Sequence, residues 1–270
     1  KVRRACEAAR ADGYDLLWID SCCIDKTSSA ELSEAINSMW LWYNGSAAVC
    51  HAFLADVPGD DDVDAKDSRF RASRWFRRGW TLQELLAPRD IKFLSGSWTY
   101  LGSKAGLALA IQERTGIEFE VLLHLRSLDE VSVAKRMSWA ANRETTRVED
   151  WAYSLLGIFD INMPTLYGEG EGAFQRLQEQ IIQRIPDQSI FAWTSHTEID
   201  DASFGITSYV RRINYKSIFT KLHPTVTTSW PEYRPQLMHP ASSLFASSPS
   251  DFAASGCISP LPSYLPGTSH

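Results

Sequence analysis

YDLLWI, residues 14–19, is the stretch on which the fold turns. It is a short apolar run closed off by Gly13 and Asp20, the pattern of a strand buried in a sheet. Downstream, Leu32, Ala35, Ile36, Met39 and Tyr43 recur at helical spacing and predict a helix over 31–43 with one apolar face. AAVCHAFL, residues 47–54, reads as a second strand. Strand, helix, strand at this spacing predicts a βαβ unit with parallel pairing, and both strands have the mostly continuous apolar character of buried parallel strands.

Working outward, residues 2–11 read as a helix, so the opening of the domain is expected to lie before Lys1. Residues 56–67 are acidic, contain Pro58 and Gly59, and predict an exposed loop. Arg69, Arg71, Arg74, Arg77 and Arg78 follow, interleaved with Phe70, Trp75 and Phe76. WTLQELLA (80–87) reads as a helix stopped by Pro88, DIKFL (90–94) as a third strand, and 107–115 as a helix ended by Gly116. The second half turns helical over 131–141, 149–159 and 173–185. There Thr146 and Glu149 are spaced as a capping box, and Arg143, Arg147, Glu149 and Asp150 form a charge network at the helix start. Gly168, Gly170 and Gly172 mark a turn, without phosphate-loop spacing. The expected organisation is an α/β core over 1–125, a helical part over 126–190, and an irregular or poorly ordered tail over 191–270.

The chain has 270 residues, 44% of them hydrophobic, which is enough to bury a core. Its net charge of -6 argues against general nucleic-acid binding, which needs a positive surface. No apolar run reaches the length of about 20 residues that a membrane span requires. The five cysteines lack zinc-type spacing and are odd in number, which predicts a reduced, cytoplasmic protein. The scattered histidines imply no metal site.

Three stretches together resemble the fungal heterokaryon incompatibility (HET) family: WIDSCCIDK (18–26) with the helix after it, RGWTLQELLAP (78–88), and the run from Ser138 to Ile181. The resemblance covers roughly residues 1–185, and residues 187–193 and 243–256 look like the segment that often trails this domain. The family normally opens with a strand carrying a Ser-His-x-Trp-like motif, which nothing here matches. Residues 206–240 have no recognised counterpart and read as an insertion. The resemblance implies a role in vegetative incompatibility and cell death. The partners it implies are a second copy of the chain or regulatory modules of the nucleotide-binding, repeat-bearing (NLR) type.

The order of elements is also similar to Toll/interleukin-receptor (TIR) domains, which implies a TIR/flavodoxin-like parallel core here lacking its first strand. Such a core exposes an edge, so a poorly stable or inactive chain is expected. Some TIR domains hydrolyse NAD with a glutamate in a W-x-x-x-E helix; here that motif is Trp80 to Glu84. The resemblance therefore implies no cofactor, with NAD as substrate. A carboxylate at Glu84 would stabilise the oxocarbenium character that builds on the ribose as the nicotinamide bond breaks. Trp80, four residues earlier, would stack on a flat ring. Asp20, Ser21 and Cys22, at the end of the first expected strand, would line the crevice at the carboxyl end of the sheet. Arg74, Arg77 or Arg78 would hold a pyrophosphate.

Each of these residues has a plainer role open to it. Thr81 and Glu84 are spaced as a capping box, with Trp80 and Leu85 as its staple. Asp20 and Asp25 fit a turn. Cys22 and Cys23 fit partly buried structural positions, and the arginines fit a solvated face paired with the acidic loop. Three function classes stay open: an NAD-cleaving effector, a non-enzymatic signalling module that acts by self-association or partner docking, and a nucleotide-binding regulatory domain using the arginine run.

Overall fold

The computed structural model describes residues 1–45, 49–194 and 244–259; the expected insertion at 206–240 lies outside them. The chain divides into two compact units, one formed by Lys1–Arg126 with Tyr153–Thr165, the other by Ser127–Ala152 with Leu166–His270.

In the first unit, α1 (Val2–Ala11), α2 (Asp20–Cys23) and α3 (Ser29–Asn44) precede β1 (Cys50–Phe53). Then α4 (Arg69–Ala72), a 3-10 turn at Arg74–Arg77 and α5 (Thr81–Leu86) lead to β2 (Ile91–Leu94). β3 (Tyr100–Ser103), α6 (Ala108–Thr115) and α7 (Phe119–Leu122) follow. The sheet order is β1-β2-β3. β1 runs parallel to β2, with Cys50 opposite Ile91, while β2 and β3 are antiparallel. The protein is thus mixed α/β with a small mixed sheet, where an all-parallel one was expected. The crossover between parallel strands carries α4 and α5, so the βαβ unit spans 50–94 instead of 14–54.

Residues 14–19, expected as a strand, form none. An apolar run becomes a strand only where a neighbour completes its ladder of hydrogen bonds, and the run pairs with no strand among the described residues. Leu16 is 90% exposed. The run is held by side chains instead: the Trp18 ring lies 5.3 Å from that of Trp42 and 5.9 Å from that of Tyr43, both on α3. Cys22 and Cys23 are exposed, not partly buried, because α2 is a single surface turn with no buried residue.

α3 follows its predicted face, burying Ala35, Ile36 and Met39. Ser28 caps it by accepting from the Glu31 amide, and the Glu31 carboxylate accepts from the Asp25 amide at 2.8 Å. The Asn37 side chain donates to Met163 O and accepts from Met163 N, at 3.2 and 3.1 Å, tying α3 to the 153–165 segment. In the same segment Gly157 lies so close to Trp40 that an added Cβ would stand 2.3 Å from the Trp40 Cβ. Gly157→Ala should therefore destabilise the fold by about 1–3 kcal/mol through overpacking. A urea midpoint shifted downward at unchanged slope would show it. Beside the sheet, Phe70, Trp75, Phe76 and Phe93 form edge-to-face contacts, with Phe70 and Phe93 centroids 5.2 Å apart.

The second unit holds α8 (Val133–Ser138), the start of α9 (Asp150–Tyr153) and α10 (Gly172–Arg184). α8 and α9 are shorter than expected. The Ser138 hydroxyl donates back to Lys135 O at 2.7 Å, a local bond that competes with helix continuation. After α9 the chain tightens into a 3-10 turn at Leu156–Ile158. The Thr146–Glu149 capping box gives way to a different arrangement. Glu149 Oε1 accepts from the amides of Gly168 (2.7 Å) and Gly170 (3.2 Å). Both glycines have positive φ, +107° and +60°, a backbone that L side chains rarely adopt. Arg147 stacks over the Tyr167 ring at 4.3 Å, and the Tyr167 hydroxyl donates to Asp150 at 3.0 Å.

Hydrogen bonds from its own amide, Gly168 and Gly170 hold the Glu149 carboxyl below its usual 4.5. A depressed carboxyl contributes stability above its ordinary pKa and loses it as pH falls through the lower, folded value. Glu149→Gln is therefore expected to lower stability at pH 7 and to flatten the acid arm of a pH–stability profile. Denaturation midpoints taken across the acid range would check it.

The described part of the tail is packed, not irregular. Gln178 brackets Ala246, donating to its carbonyl and accepting from its amide, each at 2.9 Å. Phe252, in a 3-10 turn, is fully buried, and the Ser132 hydroxyl donates to Ile258 O. Among the described residues no helix is long and apolar enough to cross a membrane.

Candidate functional site

α5 positions the centre of the site. Thr81, Leu82, Gln83, Leu85 and Leu86 are all buried, and Glu84 alone in this helix is partly exposed. The chain is already turning before Thr81: Leu82 N donates to Gly79 O at 3.0 Å, Gln83 N donates to Trp80 O at 3.2 Å, and Trp80 has helical angles. The Thr81 hydroxyl donates to the carbonyls of Trp75 (2.5 Å) and Arg78 (2.8 Å), and α5 has no side-chain cap. The N-cap position falls on Trp80, one residue before the Thr81 from which the sequence offered a capping box.

Three further contacts fix α5 in place. Gln83 Nε2 donates to Ser154 O at 2.8 Å. The Lys104 ammonium, 1% exposed, donates to Leu85 O at 3.1 Å and to Pro88 O, satisfying carbonyls at the end of the helix. His124 Nε2 lies 3.4 Å from the same ammonium.

The electrostatics show what gathers around Glu84. The Tyr43 phenol is raised above its ordinary value of 10.0, first by burial, then by Glu84, Cys50 and Asp20, with Arg78 opposing. Burial pushes the Cys50 thiol up as well, with Glu84 adding to the shift and Lys104 opposing it. Glu84, Asp20 and Arg78 are thus each near enough to act electrostatically on the half-buried Tyr43 phenol. Trp80 packs against the cluster of Ile24, Ala35 and Met39, as Leu32 and Tyr43 do.

The other expected residues are placed as follows. Asp20 pairs with Lys26 at 3.3 Å, both half exposed. Ser21 and Cys22 are exposed neighbours, hydroxyl to sulfur 3.8 Å. Arg74 stands apart: its Nε is 3.6 Å from Asp56, whose carboxylate also accepts from the Arg74 amide at 2.8 Å. The expected crevice at the carboxyl end of the sheet is not what unites the group. Glu84 acts on Cys50, the first residue of β1, whereas Asp56 and Arg74 follow that strand's other end.

Sequence reasoning missed the partners that fix the site. Gln83 and Lys104 are buried polar residues; Gln83 carried a signal as the one amide inside WTLQELLA. A second polar group was also missed, because its members lie on three separate elements. Asp12 accepts from His51 Nε2 at 2.8 Å and from Lys92 at 2.6 Å. The Lys92 hydrogen bond, and then that of His51, hold the Asp12 carboxyl below its usual range.

A partly exposed carboxylate beside a guanidinium and a phenol can meet a developing positive charge while the cation orients an anionic part of the same ligand. Comparison with known proteins agrees with the sequence resemblance. Residues 1–62 match the family described as Heterokaryon incompatibility protein (HET). Residues 172–265 match a domain of unknown function, DUF8212. The chain is 47% identical over 186 residues to the Vegetative incompatibility protein HET-E-1 of Podospora anserina, across 67% of its own length. It spans 14% of the length of that relative. No solved structure matches the chain.

Proposed function

The chain is a member of the heterokaryon incompatibility family, and from that premise we propose that it is an effector of vegetative incompatibility, acting in the death response that follows fusion of unlike fungal cells. Its activity is cleavage of NAD at the nicotinamide–ribose bond, in a TIR-like arrangement with Glu84 at the centre. The observation that supports this reading is that Glu84, Asp20 and Arg78 all act electrostatically on Tyr43. Glu84 would face the anomeric carbon as positive charge builds there, and Arg78 would hold the pyrophosphate. Asp20 would take a ribose hydroxyl. The reading rests on this gathering of side chains and not on the sheet-end rule for parallel sheets. The five free cysteines support a cytoplasmic site of action, and a regulatory module of the nucleotide-binding, repeat-bearing type fits as partner. Incubating the purified chain with NAD and following released nicotinamide tests the activity. Absence of turnover, even after enforced oligomerisation, would overturn it.

One observation favours a non-enzymatic reading. Leu16 (90% exposed), Leu41 (68%), Trp42 (44%) and Trp18 (37%) present apolar surface where residues 14–19 meet α3. On that reading the chain signals by self-association through this face. Toxicity on expression that survives Glu84→Gln would favour it.

A further inference from the structure

We propose that the open hollow lined by Lys66, Arg71, Glu113 and Arg114 is a binding site for a small phosphate-bearing ligand, separate from the Glu84 group. The hollow measures about 320 Å³, at the small end of the range for ligand sites. It is built from three elements of the first unit: the loop before α4, α4 itself and α6.

The cations there outnumber the anions. Arg71 is aimed by its neighbours, its Nε donating to Ala65 O at 3.1 Å and its Nη1 to the Glu113 carboxylate. Glu113 is the one carboxylate lining the hollow, and it is committed to Arg71. Arg114 Nε is enclosed by protein and has no hydrogen-bond partner. Burial lowers the proton affinity of Arg114, and the neighbouring Arg77 guanidinium lowers it further. Exposed Lys66 adds another cation at the rim.

In the adjacent acidic loop, Asp56, Asp61 and Asp62 have partners of their own within the first unit. Both Asp61 oxygens accept from backbone amides, those of Arg69 (2.9 Å) and Phe70 (2.8 Å), at the start of α4. Asp62 accepts from the Asp64 amide, and Asp56 is held by Ser73 and Arg74. In a chain of net charge -6, a hollow with an excess of cations is a local feature and not a result of bulk composition. The remaining guanidinium donors of Arg71 and Arg114 with a flexible ammonium suit the several oxygens of a phosphate better than a single carboxylate.

Calorimetric titration of the whole chain with pyrophosphate, and separately with AMP, tests the proposal without reference to turnover. Saturable one-to-one binding of either probe is expected, falling steeply with added salt. Tighter binding of pyrophosphate assigns the site to a bare phosphate chain, and tighter binding of AMP to a nucleotide. Arg114→Gln and Lys66→Gln should each weaken binding about tenfold or more, whereas Arg10→Gln, the same charge change on α1, should leave it unchanged. Lys66 is exposed, so its variant remains informative if Arg114→Gln fails to fold. Absence of saturable binding of both probes, or equal binding by the parent and Lys66→Gln, would overturn the assignment.

Discussion

Glu84→Gln is expected to cut nicotinamide release by at least about a hundredfold while leaving the fold and the melting temperature nearly unchanged. A glutamate that closes a capping box contributes through the helix start, and its loss costs helix stability. Here the start is held by the Thr81 hydroxyl on the Trp75 and Arg78 carbonyls, and the rest by Gln83 and Lys104. Glutamine keeps the shape of the side chain and removes only the charge. An effect on rate without an effect on stability therefore separates the charge's part in chemistry from a part in structure. Equal rates in parent and variant would end the case for Glu84, and a large fall in melting temperature would return it to a structural role.

Lys104→Ala is expected to cost about 3–5 kcal/mol, the largest stability loss argued for a single side chain. Its stem is buried, so truncation leaves a cavity, and the carbonyls of Leu85 and Pro88 lose their donor where water does not reach easily. The effect has a pH signature. Burial lowers the Lys104 ammonium to about 8, from 10.5. Between these values the unfolded chain holds a proton that the folded chain has released, so this group adds stability as pH rises through that window. Cys50 acts in the opposite sense. Its thiol is raised from 9.0, so the unfolded chain ionises first and stability falls as pH climbs past that value. Without Lys104, the fall from Cys50 is unopposed. Denaturation midpoints between pH 7 and 10 should drop more steeply in the variant than in the parent, and parallel profiles would contradict this account.

What the residues disclosed beforehand depended on whether the deciding physics was local. α6 ends at Gly116 because that residue takes the left-handed conformation, and α3 buries Ala35, Ile36 and Met39 on the face its spacing predicted. α5 was legible from its apolar face and Pro88, and Glu84 was singled out on its motif alone. Residues 14–19 misled because a strand is a property of a pair, and hydrophobicity reports burial without saying against what. β3 escaped notice for the converse reason: Tyr100 to Ser103 carries no apolar run, and its pairing is set by the tight return from β2, where Ser95 N donates to Thr99 O at 2.9 Å. The site was half readable. Glu84, Asp20 and Arg78 all act electrostatically on Tyr43, whereas Arg74 is drawn off by Asp56, the pairing with the acidic loop that the plainer reading of the arginines offered.

α5 has six residues, too few to persist through its own hydrogen bonds. It holds its course because Thr81, Gln83 and Lys104 fasten it at the start, middle and end. On the proposed activity the Glu84 carboxylate would be preorganised: the backbone entropy of α5 is surrendered once, during folding, and would not be demanded again each time a ligand arrives. Loosening any fastening should therefore appear first as a slower or less selective encounter at Glu84, before the unit as a whole gives way.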